Sequence, residues 1–170
     1  MQNPQVLIVM GSESDLPVME EGAKVLAEFG IPYEIRISSA HRSPARTAAL
    51  AGEAAGRGVR VIIAGAGMAA HLAGVIAAET VLPVIGVPIT GGALNGLDAL
   101  YSTVQMPGGI PVATMAIGKA GAMNAGIFAV QLLALGDERL TAALVSYRER
   151  MAESVAAKDQ ALQDARKSNS

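Results

Sequence analysis

Both histidines of this chain sit in short segments of small and hydroxyl-bearing residues. The first segment is Ser38-Ser39-Ala40-His41-Arg42. An imidazole with an unperturbed pKa of about 6.5 can both give and take protons near neutrality. The neighbouring Arg42 guanidinium offers a fork of donors to phosphate or carboxylate. The plainer alternative is a structural histidine bonded to its own loop, with Arg42 in solvent. A second segment, Gly11-Ser12-Glu13-Ser14-Asp15, offers hydroxyl donors from Ser12 and Ser14. Its Asp15 carboxylate can accept from sugar hydroxyls. If a helix starts there, its free N–H groups favour an anion, although Ser14 and Asp15 could equally be ordinary caps.

A third segment, Gly65-Ala66-Gly67-Met68-Ala69-Ala70-His71, holds the other histidine. Gly65-x-Gly67-x-x-Ala70 has the spacing of a dinucleotide fingerprint, but its context is wrong. It follows the third apolar run rather than the first. The acidic residue expected about twenty positions on, to hold a ribose, is replaced by Ile85-Gly86-Val87-Pro88-Ile89. Close approach of backbone to a small ligand is the better reading, with Ala66 and Gly67 against it. His71 reads either as a cap on the pocket or as a packed core histidine within the following helix. The first apolar run does not end in the carboxylate cluster of a phosphoreceiver domain. No nucleophile elbow surrounds Ser12 or Ser39, which argues against a serine hydrolase. With two histidines and no cysteine, a catalytic metal is not expected.

These segments need a scaffold that brings them together. Short apolar runs alternate with helical patterns, the signature of a parallel sheet. Strands are expected at Val6–Met10, Tyr33–Ile37, Val59–Ala64, Val84–Val87 and Val112–Ile117. Helices are expected from Ser14 to about Phe29, from Ser43-Pro44 to about Gly56, and from about Ala69 to Glu79. Others should cover Leu94–Gln105 and about Ala120 to Leu135. The glycines at 65–67 are read as a turn. A last helix begins near Asp137, with Leu140, Leu144, Tyr147 and Met151 as one apolar stripe, and the end at Lys167–Ser170 is expected to fray. In open parallel sheets ligands bind beyond the carboxyl ends of the strands, where strand order reverses. The three segments, and Pro88-Ile89-Thr90-Gly91-Gly92 after the fourth strand, all fall at those ends. The expected fold is a three-layer α/β/α domain with a five-stranded parallel sheet in flavodoxin-like order 2-1-3-4-5. A catalytic core at about 5–135 and a C-terminal helix at about 137–165 would form one domain.

The totals agree with such a domain. The chain has 170 residues, 51% hydrophobic but only 3% aromatic, with 19 glycines. Its apolar mass is therefore Ala, Val, Ile and Leu, suited to tight helix-on-sheet packing. Mean hydropathy is +0.39, high for a solitary soluble protein, which points to apolar surface covered by an oligomer. Net charge is −2 without a basic block, so nucleic acid is not an expected partner. The absence of cysteine excludes disulfides. The start Met1-Gln2-Asn3-Pro4 lacks a secretory pattern. The apolar stretch Val61–Pro88 is interrupted by glycines, His71, Glu79 and Pro83, unlike a membrane span. A cytoplasmic location is expected by default.

Assembled, the segments resemble the N5-carboxyaminoimidazole ribonucleotide mutase family. The resemblance is carried by Val9-Met10-Gly11-Ser12-Glu13-Ser14-Asp15, Ser39-Ala40-His41-Arg42, and Ile62 through Leu72. Pro83 through Pro88, Val104 through Val112, Ala116-Ile117-Gly118-Lys119-Ala120-Gly121 and Asn124-Ala125 also match. It extends in order from about Val6 to Leu135. Arg42, rather than lysine, points to the mutase class over the class that carboxylates aminoimidazole ribonucleotide directly with CO₂. The chain departs from the family pattern at Met68, where many members have glycine, and at Ala73, where many have proline.

The resemblance implies a carboxyl relocation in purine biosynthesis without metal, ATP or organic cofactor. The substrate carbamate would lose CO₂, and ring carbon C4 would recapture it. His41 would protonate the departing nitrogen and later take the C4 proton. Ser12, Ser14, Asp15, Ser39 and Arg42 would bind ribose and phosphate. The glycine-rich segment with Ala66 and Gly67 would hold CO₂ close, and His71 counts among the substrate-binding residues. Family members are octamers. The rival readings are direct CO₂-dependent carboxylation and a non-catalytic nucleotide-binding module.

Overall fold

The computed structural model describes residues 3–168. The first strand, β1 at Val6–Met10, is buried along its whole length. That is the condition of a central strand in a sheet covered on both faces, and it explains an unbroken apolar run. Strands β2 (Tyr33–Ile37), β3 (Val61–Gly67), β4 (Val84–Ile89) and β5 (Ala113–Thr114) complete a five-stranded sheet in the order β2-β1-β3-β4-β5. Every pairing is parallel, with Val6 opposite both Tyr33 and Val61, Ile62 opposite Val84, and Ile85 opposite Ala113. The expected three-layer fold and strand order are therefore present.

Helices α1 (Leu16–Glu28), α2 (Pro44–Ala54), α3 (Leu72–Ala78), α4 (Leu97–Val104) and α5 (Lys119–Ala134) connect and flank the strands. Side chains alternate between sheet faces with period two. On one face Leu7, Val9, Ile62 and Ala64 form a continuous core with Ala51 and Ala54 of α2 and with Leu72, Ala73 and Ile76 of α3. On the other face α1 and α5 meet closely. A methyl group on Gly22 would lie 2.8 Å from the Ala122 carbonyl, and one on Gly126 2.8 Å from the Gly22 carbonyl. Glycine is required here by helix contact, not by backbone conformation.

Several boundaries differ from the sequence expectation. Strand β3 starts later and runs on to Gly67, so Gly65-Ala66-Gly67 is strand rather than turn. It can extend because β4 extends beside it, pairing Ala66 with Pro88 and Gly67 with Ile89. The strand needs glycine for clearance: a methyl on Gly65 would collide with Met19 Sδ. Helix α3 consequently begins at Leu72, and His71 is its N-cap residue rather than a residue within it. Strand β5 shrinks to two residues.

Ser12, not Ser14, caps the first helical turn. Ser12 and Asp15 form a reciprocal capping box around the short 3-10 turn Glu13–Asp15. Ser43 occupies the N-cap position of α2, but its hydroxyl makes no cap bond. It donates instead to the Ser39 carbonyl at 3.0 Å and accepts from Ser39 N–H at 3.2 Å, closing the loop that carries His41.

Chain contacts divide the molecule into two compact units, Met1–Leu132 and Leu133–Ser170. The second holds the long helix α6 (Glu138–Ser168), whose last turn carries Arg166 and Lys167 in favourable relation to the helix dipole. Its expected apolar stripe is only partly covered: Leu140, Leu144 and Tyr147 are half-buried and Met151 is exposed. The helix runs to Ser168 and so includes Lys167 and Ser168 of the segment expected to fray, and Asn169 and Ser170 lie outside the described residues. Among the described residues no helix is long and apolar enough to cross a membrane.

Candidate functional site

The carboxyl ends of β1, β2, β3 and β4 surround one cavity of about 530 Å³. Its lining includes all nine residues singled out from the sequence. Ser12, Ser14 and Asp15 come from the turn after β1, and Ser39, His41 and Arg42 from the loop after β2. Ala66 and Gly67 come from the end of β3, and His71 from the entry to α3. Strand order 2-1-3 makes these segments spatial neighbours although His41 and His71 lie 30 residues apart in the chain.

The loop after β2 is fixed by polar contacts beneath it. Ser38 N–H donates to the Met10 carbonyl at 2.9 Å, tying the β2 loop to β1. The Ser38 and Thr47 hydroxyls, both buried, share a hydrogen bond of 2.8 Å that joins the loop to α2. The backbone N–H of Ser43 donates to the Ser39 carbonyl at 2.8 Å and closes the turn bearing His41 and Arg42. A buried polar pair of this kind holds position because breaking it would strand an unsatisfied hydroxyl.

His41 Nε2 lies 2.8 Å from His71 Nδ1. The rings meet edge to face, with centroids 4.9 Å apart and planes inclined at 73°. One proton between these two nitrogens makes one the donor and the other the acceptor, so each ring constrains the other's tautomer. His71 is exposed to the cavity. Of the two alternatives open from the sequence, the packed core histidine is set aside, and the histidine at the pocket stands.

Arg42 reaches across the cavity floor. Its Nη2 donates to the Gly11 carbonyl at 3.3 Å, and its backbone N–H donates to Ser39 Oγ at 3.2 Å. The guanidinium thereby bridges the β2 loop to the end of β1 and keeps further donors for an anion. Opposite it, Asp15 is only 9% exposed. Burial pushes its carboxyl above the ordinary carboxylate value, while N–H groups of Ser12 and Gly11 pull it partly back. Ser12 N–H donates to Asp15 Oδ2 at 3.0 Å, and Ser14 Oγ donates to Ser12 Oγ at 3.0 Å. The site thus places a cationic fork, a partly desolvated carboxylate, three serine hydroxyls and a helical N-terminus around a histidine pair. That set suits a phosphorylated sugar and a proton transfer.

The lining also contains Met68, Thr90 and Gly91, which the residue-by-residue reading did not select. Thr90 and Gly91 carried a usable signal, since they follow the fourth strand, and strand ends in this topology face the ligand. Met68 carried none from its residue type, because an apolar side chain in a glycine-rich stretch reads as core. It is 59% exposed instead.

Comparison with known proteins agrees with this arrangement. The family model for AIR carboxylase matches residues 5–154. The N5-carboxyaminoimidazole ribonucleotide mutase of Mycobacterium tuberculosis strain H37Rv is 55% identical over 162 residues, 95% of this chain and 92% of that protein. The phosphoribosylaminoimidazole carboxylase of Schizosaccharomyces pombe is 54% identical over 154 residues, 91% of this chain but 28% of that longer protein. A crystal structure of Treponema denticola PurE has a TM-score of 0.83 at 31% identity, covering 92% of this chain and 97% of that one. With the matched segments in order and the sheet topology in place, the chain belongs to the AIR carboxylase family.

Proposed function

We propose that this protein is an N5-carboxyaminoimidazole ribonucleotide mutase of purine biosynthesis, moving a carboxyl group from the exocyclic nitrogen of its substrate to ring carbon C4. The observation that carries the reading is the gathering of His41, His71, Arg42, Asp15 and the Gly65–Gly67 strand end around one cavity. High identity to a protein named as the mutase, across nearly its whole length, supports it.

His41 is the proton carrier. It gives a proton to the nitrogen as the carbamate collapses to CO₂ and amine, and takes the C4 proton after C4 has attacked CO₂. The imidazole is restored at the end of each cycle, so one side chain serves both steps. His71, 2.8 Å away, sets which nitrogen of His41 carries the proton. Arg42, Ser39, Ser12 and Ser14 hold the phosphate and ribose, with Asp15 accepting from a sugar hydroxyl. Gly67 presents bare backbone and Ala66 only a methyl group beside the reacting carboxyl, so that recapture of CO₂ competes with its escape.

His41→Asn tests the assignment. It keeps an amide near the imidazole's position but cannot shuttle protons. Substrate binding should persist while turnover falls by about a hundredfold or more. Undiminished turnover would overturn the role of His41.

A second reading, direct carboxylation of aminoimidazole ribonucleotide, is favoured by the identity to the Schizosaccharomyces pombe carboxylase. The two readings divide on whether the carboxyl arrives on the substrate nitrogen or as free CO₂.

We further infer a cytoplasmic octamer. Met151, Val155 and Leu162 of α6 are more than half exposed. Val81, Leu82, Pro83, Ile110, Phe128 and Leu132 line a separate apolar hollow of about 520 Å³ at the far end of the sheet. Apolar surface of this extent is ordinarily covered. Light scattering should return eight times the chain mass of 17.3 kDa, and a monomer would overturn the assembly.

A further inference from the structure

Met68 stands out on backbone grounds. It and Asn95 are the described non-glycine residues in the left-handed region, Met68 at φ 55°. A long side chain there is strained, and such strain persists where the surroundings impose it, most often at functional sites. Met68 follows the end of β3 and lines the cavity between His71 on its own loop and Thr90-Gly91 on the loop after β4. A methyl group on Gly91 would lie 3.6 Å from Met68 Cγ, and one on Gly92 would lie 3.8 Å from Cγ and 3.9 Å from Cε. The thioether therefore crosses from the β3 loop to a stretch of chain that carries no side chain of its own. It is 59% exposed, so core packing does not account for its position.

We propose that Met68 is the residue that closes this side of the cavity mouth and retains CO₂ between its release and its recapture. This rests on the mutase reading. In the step concerned, the carbamate N–C bond breaks, its electron pair stays on nitrogen, and His41 supplies a proton there. C4 then attacks CO₂, a C–C bond forms, and the C4 proton returns to His41. The free species between these events is small, neutral and apolar. An ion pair cannot hold it. An apolar, polarizable cover can, and a thioether on a flexible stem supplies one.

The test follows the carboxyl group. Substrate labelled with ¹³C in its carbamate is turned over in buffer saturated with unlabelled CO₂, against an enzyme-free control for spontaneous carbamate loss. The share of label retained in the C4 carboxylate is read by mass spectrometry. Met68→Ala keeps the left-handed backbone strain but loses the reach; Met68→Gly loses both; Met68→Leu keeps an apolar reach. The ratio of lost to retained label should rise roughly threefold or more in the Ala and Gly variants, as for removal of a gating contact, and should stay near the parent in Met68→Leu. Met68→Gly should melt no lower than the parent, since glycine adopts positive φ freely. Unchanged retention in both truncated variants would overturn the proposal. So would leakage in Met68→Gly alone, because backbone geometry rather than side-chain reach would then govern retention. A parent enzyme that forms no product from the labelled carbamate would overturn the mutase reading, and the proposal with it.

Discussion

Asp15→Asn separates binding from folding at the cavity wall. The amide oxygen can still accept from Ser12 N–H, now at 3.0 Å from Asp15 Oδ2, so the capping box survives in part. What disappears is a negative charge on a side chain only 9% exposed. Burial raises the Asp15 pKa above its ordinary 3.8, so the folded state binds the proton more tightly than the unfolded chain. The parent's stability is therefore greatest, relative to Asp15→Asn, at low pH. That advantage falls as pH rises from below 3.8 through the raised value, and is flat above it. At neutral pH the variant should be as stable as the parent or more so. Binding moves the other way. A hydroxyl bonded to a carboxylate is worth about 1.5–3 kcal/mol against about 1 for a neutral acceptor, so the variant should lose about 1.5 kcal/mol, or about tenfold, in kcat/KM. Urea midpoints between acid and neutral pH, with steady-state kinetics at neutral pH, test both halves. Unchanged kcat/KM together with a pH-independent stability difference would rule out both roles of the Asp15 charge.

Other residues make comparably direct predictions. Gly126→Ala places a methyl 2.8 Å from the Gly22 carbonyl and 2.9 Å from Val25 Cβ; separation of α1 from α5 should cost about 1–3 kcal/mol in urea denaturation. His71→Asn removes the partner 2.8 Å from His41 Nε2, and kcat should fall about tenfold or more with KM little changed. Glu34 is partly buried, which raises its pKa, but hydrogen bonds from Arg57 and Arg36 outweigh this and hold it below the ordinary 4.5. Its stabilising contribution is thus present above 4.5 and lost as pH falls through the depressed value, and Glu34→Gln should flatten that acid loss while costing about 1 kcal/mol or less at neutral pH.

The parts of this fold visible in the sequence are those governed by local pattern. The ends of β1 and β2 fall where the apolar run Val6–Met10 and the alternating segment Tyr33–Ile37 end. The candidate site residues could be grouped from the sequence because the chemistry-bearing side chains cluster at strand ends, and parallel topology brings strand ends together. What local pattern could not reveal depends on neighbours. Gly65 and Gly67 look like a turn until β4 lies beside them and Met19 presses on Gly65. The extension of β3 shifts the start of α3 and moves His71 from a helix interior to its cap, where it can meet His41. Ser12 rather than Ser14 caps because a 3-10 turn at Glu13–Asp15 precedes the α-helix, a distinction of hydrogen-bond span that composition does not encode. The half-covered stripe of α6 has helical spacing whether its partner is the same chain or another copy, so periodicity alone cannot tell a core face from an interface.

In the proposed reaction the carboxyl group arrives bound to the substrate nitrogen and is relocated within the cavity. The most direct measurement offers the enzyme N5-carboxyaminoimidazole ribonucleotide and, separately, aminoimidazole ribonucleotide with CO₂, and follows formation of the C4-carboxylated product from each. Rapid product formation is expected from the carbamate, and slow formation from the second mixture at ordinary CO₂ concentration. Comparable or faster turnover of aminoimidazole ribonucleotide with CO₂ would contradict it.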